Sequence, residues 1–110
     1  MADSDLDLMQ GTLDLLVLKS LIFGPRHGYA VAQWVRETTD DDLRIEEGAL
    51  YTALHRMEKR RWLESEWGLS DSNRKAKYYE LTPQGRRQLR VQTDVWTRYA
   101  RAVTKVLQTA

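Results

Sequence analysis

Cysteine is absent from the 110-residue sequence, and proline occurs only 2 times. The absence of cysteine excludes disulfides, thiolate metal sites and cysteine nucleophiles. The longest apolar run, residues 13–23, contains an aspartate and a lysine and is far shorter than the roughly 20 residues that a membrane-spanning helix needs. Residues 1–7 carry three aspartates and no base, so they do not have the form of a secretory signal. These absences predict a soluble protein of the cytoplasm.

Motifs of catalysis and of metal binding are missing as well. There is no phosphate-binding glycine loop, no HExxH zinc motif, no serine elbow and no carboxylate pair at an informative spacing. The acidic run at 40–42, with Glu46 and Glu47, lacks the glycine and the alternating ligands of a calcium loop, which favours a solvated turn. Neither His27 nor His55 has a second histidine three or four residues away. We therefore predict no enzyme activity, no metal site and no cofactor.

The residues that are present suffice for one folded domain with a core. Hydrophobic residues make up 42% and charged residues 30% of the sequence, the balance of a small globular protein with a solvated surface. The net charge of +1 conceals an asymmetry, because residues 1–43 carry −5 and residues 44–110 carry +6. A face built from the second half is therefore a candidate for contact with an anionic partner. Solvated helix surface is the alternative explanation of the same bases.

Four helices are predicted from hydrophobic periodicity, capping residues and chain breaks. Thr12 is expected to cap the first helix, and the pair Thr82-Pro83 marks the start of the last. Tyr29 is expected on the buried side of the second helix, together with Val35 or Trp34. The predicted helices span residues 13–23, 28–38, 47–61 and 83 to nearly the C terminus.

Three segments have the composition of strands. Residues 43–45 predict a brief strand, and the aromatic-rich segments 62–67 and 75–81 predict a hairpin around a polar turn. Tyr79 and Leu81 share one face of the last strand, because side chains alternate between the two faces. We expect both of these side chains in the core.

The third predicted helix has two contrasting faces. Leu50, Leu54 and Met57 fall within about 40° of one another on a helical projection and predict a core face. The opposite face is small and polar, with Tyr51 on its flank, and such a face fits the major groove of B-DNA, about 12 Å wide. The polar face consists of Gly48, Thr52, His55, Arg56 and Lys59.

The hairpin after this helix has a basic tip formed by Arg74, Lys75 and Lys77. Three helices followed by a hairpin with a basic tip are typical of a winged helix-turn-helix, in which one helix enters the major groove and the hairpin reaches the neighbouring backbone or minor groove. We expect the helix to contact bases and phosphates and the tip to hold phosphate. The predicted organisation is a flexible acidic N terminus (1–8), a winged helix-turn-helix domain (9–82) and a C-terminal helix (83–110).

The last predicted helix is about 25 residues long, near 38 Å, and overshoots a small domain. One of its sides is apolar and needs a partner, and we expect a second copy of the chain, which gives a homodimer. Trp96 lies in the middle of this side, where it is either an interface anchor or part of a slot for a planar apolar effector. The apolar side consists of Leu89, Trp96, Tyr99, Ala100, Val103 and Leu107.

Five blocks of the sequence occur in a characteristic order: GTLDLLVL (11–18), GPRHGY (24–29), GALYTALHRME (48–58), ESEWG (64–68) and RKAKYYELT (74–82), with Gly85 beyond the last. Together these blocks resemble the PadR family of transcriptional regulators over residues 9–90. The resemblance implies a winged-helix repressor that dimerises through its C-terminal helix and is often released from DNA by a small molecule. Two-fold symmetry then predicts a pseudo-palindromic operator in double-stranded DNA.

On the family pattern, Tyr51 and the start of the third helix lie at the DNA, and Arg74, Lys75 and Lys77 belong to the wing. Packing of Tyr51 on the hairpin is the alternative. Thr52 stands where proline is frequent in the family, so the groove contacts are expected to differ there. The single long helix after the winged domain resembles the short branch of the family. The competing hypothesis for the whole chain is a winged-helix module for protein–protein assembly, without DNA binding, that docks through its last helix.

Overall fold

The computed structural model describes Leu8 and residues 11–110. The elements in chain order are α1 (Thr12–Ser20), a 3₁₀ turn (Leu21–Phe23), β1 (Arg26–His27), α2 (Gly28–Thr38), α3 (Glu47–Lys59), β2 (Leu63–Leu69), β3 (Lys75–Leu81) and α4 (Pro83–Leu107). The strands form one antiparallel sheet in the order β1-β3-β2. The mainly helical class with a small hairpin and a long C-terminal helix is confirmed, and β1 adds a two-residue third strand. The predicted flexible segment 1–8 lies outside the described residues apart from Leu8, which packs against the core.

The core lies between the first three helices and the inner face of the sheet. Leu50, Leu54 and Met57 are buried, which confirms the predicted core face of α3. Tyr79 and Leu81 are buried from the sheet side, as their alternation along β3 predicted. Burial of apolar surface at roughly 25 cal/mol per Å² holds α3 in a fixed position between α1, α2 and the sheet.

The start of α2 departs from the prediction. Tyr29 is 70% exposed, whereas Gly28, Val31 and Val35 form the buried side of the helix. The buried stripe therefore runs through positions i, i+3 and i+7 from Gly28, and the prediction that Tyr29 is buried is wrong.

A tight turn links α1 to α2. The helix predicted to reach residue 23 ends as a regular α-helix at Ser20, and its last turn is 3₁₀. Gly24 stops the chain there with a φ of 132°, a conformation that side chains disfavour. Gly11, rather than Thr12, occupies the cap position of α1. His27 caps α2, because its Nδ1 accepts the backbone N–H three residues on at 3.1 Å.

Residues 43–45 do not form the predicted strand: Leu43 makes an isolated bridge, and residues 44–46 link it to α3 without regular secondary structure. In the acidic turn before them, Arg36 and Asp41 form an ion pair at 3.3 Å. The carboxylate of Glu46 caps α3 by accepting a first-turn N–H at 2.9 Å. These acidic residues thus have structural partners. In the described part of the chain, no group of three or more metal-ligating side chains occurs.

Thr82 joins the hairpin to α4. Its Oγ1 accepts the N–H of Gly85 at 3.0 Å and donates to the carbonyl of Arg61 at 2.6 Å, which confirms the predicted start of the last helix. Gly85 lies directly against the carbonyl of Trp62, and a side chain at position 85 would collide with it. This junction fixes the direction in which α4 leaves the winged domain.

Candidate nucleic-acid interface

The outer face of α3 carries the side chains that the sequence indicated. Gly48, Thr52, His55 and Lys59 are all exposed, on the side of the helix opposite the core residues. The face has no large aliphatic side chain, so a polar groove can approach the backbone closely. We refer to α3 as the recognition helix because its exposed polar face can contact a partner.

Tyr51 lies on the flank of α3 and is 44% exposed. The far end of its ring rests on Gly28, where a Cβ would come within 2.7 Å of the ring atoms and the hydroxyl. The absence of a side chain at position 28 therefore makes the space that the ring occupies. The ring is therefore placed by the start of α2.

The wing consists of β2, β3 and the turn between them. Ser70 donates its N–H to the carbonyl of Arg74, and Asn73 donates to the carbonyl of Ser70, both at 2.8 Å. Asn73 takes a left-handed φ of 64°, a conformation that asparagine tolerates in tight hairpin turns. Lys75 follows this turn with its ammonium 5.5 Å from the ring centroid of Trp67, a cation–π distance. The basic tip is thus a closed, defined turn.

Lys77 differs from the other wing bases because it faces α3. Its ammonium lies 3.3 Å from the carboxylate of Glu58, which also accepts the hydroxyl of Ser65. The Ser65 hydrogen bond and, after it, Lys77 lower the pKa of Glu58, against an opposing effect of burial. Glu58 therefore ties the wing to the recognition helix and partly neutralises Lys77.

An open groove of about 910 Å³ separates the start of α2 and the Tyr51 flank of α3 from the wing. We call it the interface groove. The structure brings the four predicted residues Tyr51, Arg74, Lys75 and Lys77 together along it, whereas Gly48, Thr52, His55 and Lys59 lie outside it on α3.

Arg56 has a charged partner that the sequence does not indicate. Its Nη1 and Nη2 donate to the two carboxylate oxygens of Asp14, at 2.7 and 2.8 Å. Hydrogen bonding to Asp14 is the main reason why the pKa of Arg56 is raised. Arg56 is therefore a bidentate tie between α3 and α1. Its side chain is still 38% exposed, and its contact with bases or phosphates stays a prediction.

Two aromatic residues of the interface groove were missed from the sequence. The helical pattern predicts Tyr29 on the buried side of α2, and no motif singles out Trp67, yet both line the groove and are largely exposed. Trp67 shares a strand face with the buried Leu63, four residues earlier on β2. Leu63 and Trp67 point to the same side of β2, but the strand has passed the edge of the core by position 67. The alternation of side chains along β2 is therefore the sequence signal that places Trp67 at the groove.

The apolar side of α4 divides into two parts. Leu89 is only 6% exposed and packs into the core of its own chain, which corrects its assignment to an interface or effector site. Beyond it the stripe emerges from the domain: Trp96 is 37% and Leu107 is 78% exposed. The rings of Trp96 and Tyr99 lie 6.4 Å apart on this free part of the helix.

A helix-turn-helix followed by a basic β-hairpin wing defines the class of winged-helix DNA-binding proteins. The model of the transcriptional regulator PadR-like family matches residues 17–91, and the chain belongs to this family. The function class is DNA-binding transcriptional regulation. No helix in the described residues is long and apolar enough to cross a membrane.

Solved structures support the same family assignment. A transcriptional regulator from Clostridium thermocellum has a TM-score of 0.79 at 29% identity, with 87% of this chain and 90% of that chain covered. A PadR family regulator from Eggerthella lenta has a TM-score of 0.75 at 36% identity, with 92% and 86% covered. An uncharacterised protein from Lysinibacillus sphaericus is 30% identical over 90 residues, or 82% of this chain and 83% of that protein. The matched family and these two solved relatives are transcriptional regulators.

Proposed function

We propose that this regulator is a homodimeric, sequence-specific repressor that acts in the cytoplasm, without enzyme activity, and is released from a pseudo-palindromic operator by a small molecule. The observation that carries the proposal is the interface groove, along which the Tyr51 flank of the recognition helix and the three bases of the wing face one another. A helix in the major groove beside a basic hairpin on the neighbouring backbone matches this arrangement. Residues 9–82 form the DNA-binding unit and 83–110 the dimerisation helix.

The proposed contacts fall into two groups with different consequences. The exposed face of α3 reads base edges and nearby phosphates, and changes there alter sequence preference. The wing holds phosphate, and changes there weaken binding to every sequence. The first group is Gly48, Tyr51, Thr52, His55 and Arg56. The second group, which mostly holds phosphate, is Lys59 together with the wing bases Arg74, Lys75 and Lys77. Tyr29 and Trp67 line the groove beside them.

The free part of α4 is the proposed dimerisation surface. Apolar side chains at Trp96, Tyr99, Val103 and Leu107 are exposed on a helix that continues beyond the core. Exposed apolar surface of this kind marks an interaction site, and two-fold pairing covers the same stripe on both copies. Such a pairing sets two recognition helices about one DNA turn apart, 34–36 Å, or a multiple of it.

The effector site is proposed at the same helix. Trp96 and Tyr99 give a flat aromatic wall, which suits a planar apolar molecule. Trp96→Ala tests this role, because quenching of intrinsic fluorescence by planar aromatic compounds is then lost. Trp34, Trp62 and Trp67 require the same substitution as controls, and quenching that survives in Trp96→Ala contradicts the assignment.

A titration against random-sequence duplex DNA tests DNA binding itself. We expect micromolar-range non-specific binding at moderate salt that weakens steeply as salt rises, because phosphate contacts release counterions. A protein–protein assembly module, the competing hypothesis suggested by the exposed side of α4, gives no such binding. Affinity that does not change with salt contradicts the repressor proposal.

A further inference from the structure

One carboxylate joins the recognition helix to both strands of the wing. Glu58, near the end of α3, accepts the hydroxyl of Ser65 on β2 at 2.5 Å and pairs with the ammonium of Lys77 on β3 at 3.3 Å. The hydrogen bond from Ser65 is the main reason why the pKa of Glu58 lies below its ordinary value, so this carboxylate is charged at neutral pH. The side chains of Lys77 and Glu58 are 35% and 31% exposed, so water screens their attraction only in part.

Lys77 is held toward the domain from two sides. Besides the carboxylate of Glu58, its ammonium lies 5.7 Å from the ring centroid of the buried Tyr79, a cation–π distance. Lys75, two residues earlier on the same strand, is exposed at the tip of the wing. Both lysines line the interface groove. A DNA phosphate that approaches Lys77 therefore competes with a carboxylate for the same ammonium, and the two anions repel each other.

We propose that Glu58 is a positioning residue that determines specificity: it withholds the charge of Lys77 from random DNA, and it fixes the wing on the recognition helix for the operator. The inference rests on the proposed function. Random duplex is held by phosphate contacts alone, so the charge that Glu58 takes from Lys77 is the dominant effect there. An operator has to fit the helix and the wing at the same time, and a wing that is already fixed loses less freedom on binding.

Glu58→Gln tests the inference, because it removes the charge and keeps an acceptor for Ser65. Fluorescence anisotropy measures affinity for two labelled duplexes of equal length, one of random sequence and one that the wild-type protein selects from a random pool. We expect affinity for random duplex to rise about threefold, the size of one exposed ion pair. Its slope of log affinity against log salt should steepen by up to about 0.9, because the freed Lys77 then neutralises a phosphate. Affinity for the selected duplex should stay equal or fall.

Glu80→Gln is the matched control. It removes the same charge from an exposed position on β3, and the alternation of side chains turns position 80 to the opposite face from Lys77. We expect the ratio of the two affinities to keep its wild-type value in this variant. In a Lys77→Met background, Glu58→Gln should no longer raise affinity for random duplex, because the ammonium on which it acts is gone. A gain that persists in that background, or an equal gain in Glu80→Gln, is a general effect of charge and overturns the inference.

The remaining outcomes are equally decisive. Affinity of Glu58→Gln for random duplex at or below that of the wild type overturns the withholding of charge, and an equal rise for both duplexes overturns the role in specificity. If Glu58→Gln does not fold, Lys77→Met in the otherwise unchanged chain decides: a loss of salt slope as large as that of Lys75→Ala overturns the inference, and a smaller loss supports it. Failure of the wild type to bind random duplex, or to select any sequence, overturns the proposed function itself and is seen before any variant is made.

Discussion

The ring of Tyr51 rests on Gly28, and a Cβ at position 28 would lie only 2.7 Å from the far end of that ring. The contact joins the start of α2 to the flank of the recognition helix that borders the interface groove. Because Tyr51 is 44% exposed, the ring can swing aside without disturbing the core. Its position is therefore sensitive to one methyl group, while the fold is not.

We expect Gly28→Ala to lower DNA affinity several-fold while the free energy of unfolding changes little. Alanine displaces the far end of the ring, and this partly exposed ring can move without opening the core. Fluorescence anisotropy with labelled duplex measures the first effect, and urea denaturation measures the second. Tyr51→Ala provides the control, because Gly28→Ala should have no further effect on DNA affinity in that background. An undiminished effect there would show that the glycine acts through something other than the ring.

The wing bases should differ in their contribution to salt dependence. Lys75→Ala is expected to weaken binding to all sequences and to reduce the slope of log affinity against log salt by about 1. Lys77→Ala should reduce the slope less, because Glu58 lies 3.3 Å from its ammonium. Lys19→Ala, on α1, is the matched control and should leave the slope unchanged. If the Lys75 and Lys19 variants have equal slopes, the wing does not contact the DNA phosphates.

The lowered pKa of Glu58 predicts a dependence of stability on pH. Its ordinary pKa is 4.5, and the folded state favours the charged form, so the stabilisation is complete above that value and is lost as the pH falls through the lower folded-state pKa. Ser65→Ala removes the largest cause of the shift. We expect this variant to unfold more easily than the wild type at neutral pH, with a difference that shrinks in acid. Denaturation at fixed protein concentration, with Ser72→Ala as control, measures it, and a difference independent of pH contradicts the assignment.

Because the exposed side of α4 is apolar, we expect a single charged residue placed on it to dissociate the proposed dimer. Val103→Glu places a carboxylate within the proposed dimer surface and should weaken self-association by more than about tenfold. Lys105→Glu lies on the opposite side of the same helix and should leave the dimer intact, although it changes the charge by a larger amount. Sedimentation velocity over a range of concentrations distinguishes the two variants. If the wild-type chain sediments as a monomer throughout, α4 has another partner.

Local sequence signals were sufficient for most of the fold. Capping and periodicity gave the bounds of α2 and the start of α4, because those features depend on neighbours within a few residues. The buried face of α3 followed from Leu50, Leu54 and Met57 for the same reason. The strand pairing of Arg26–His27 with β3 had no local signal, since two residues make no periodic pattern.

What the sequence does not indicate about the candidate site depends on contacts between distant parts of the chain. Arg56 has the composition and helical position of a DNA contact, and only the folded chain brings Asp14, 42 residues earlier, to its guanidinium. The prediction for Tyr29 is wrong because an aromatic residue at the edge of a buried helix face can lie either on that face or in solvent. Leu89 lies on the same side of α4 as the exposed apolar residues. How much of that side the core covers depends on the packing of the whole domain, which the periodicity of α4 does not show.

Selection of bound duplexes from a pool of random DNA sequences tests the central claim most directly, namely that two copies of the recognition helix and wing contact DNA together. We predict enrichment of a pseudo-palindrome with half-sites about 10–10.5 base pairs apart, centre to centre, or a multiple of that spacing. Recovery of an unsymmetrical single half-site, or of no enriched sequence at all, would contradict it.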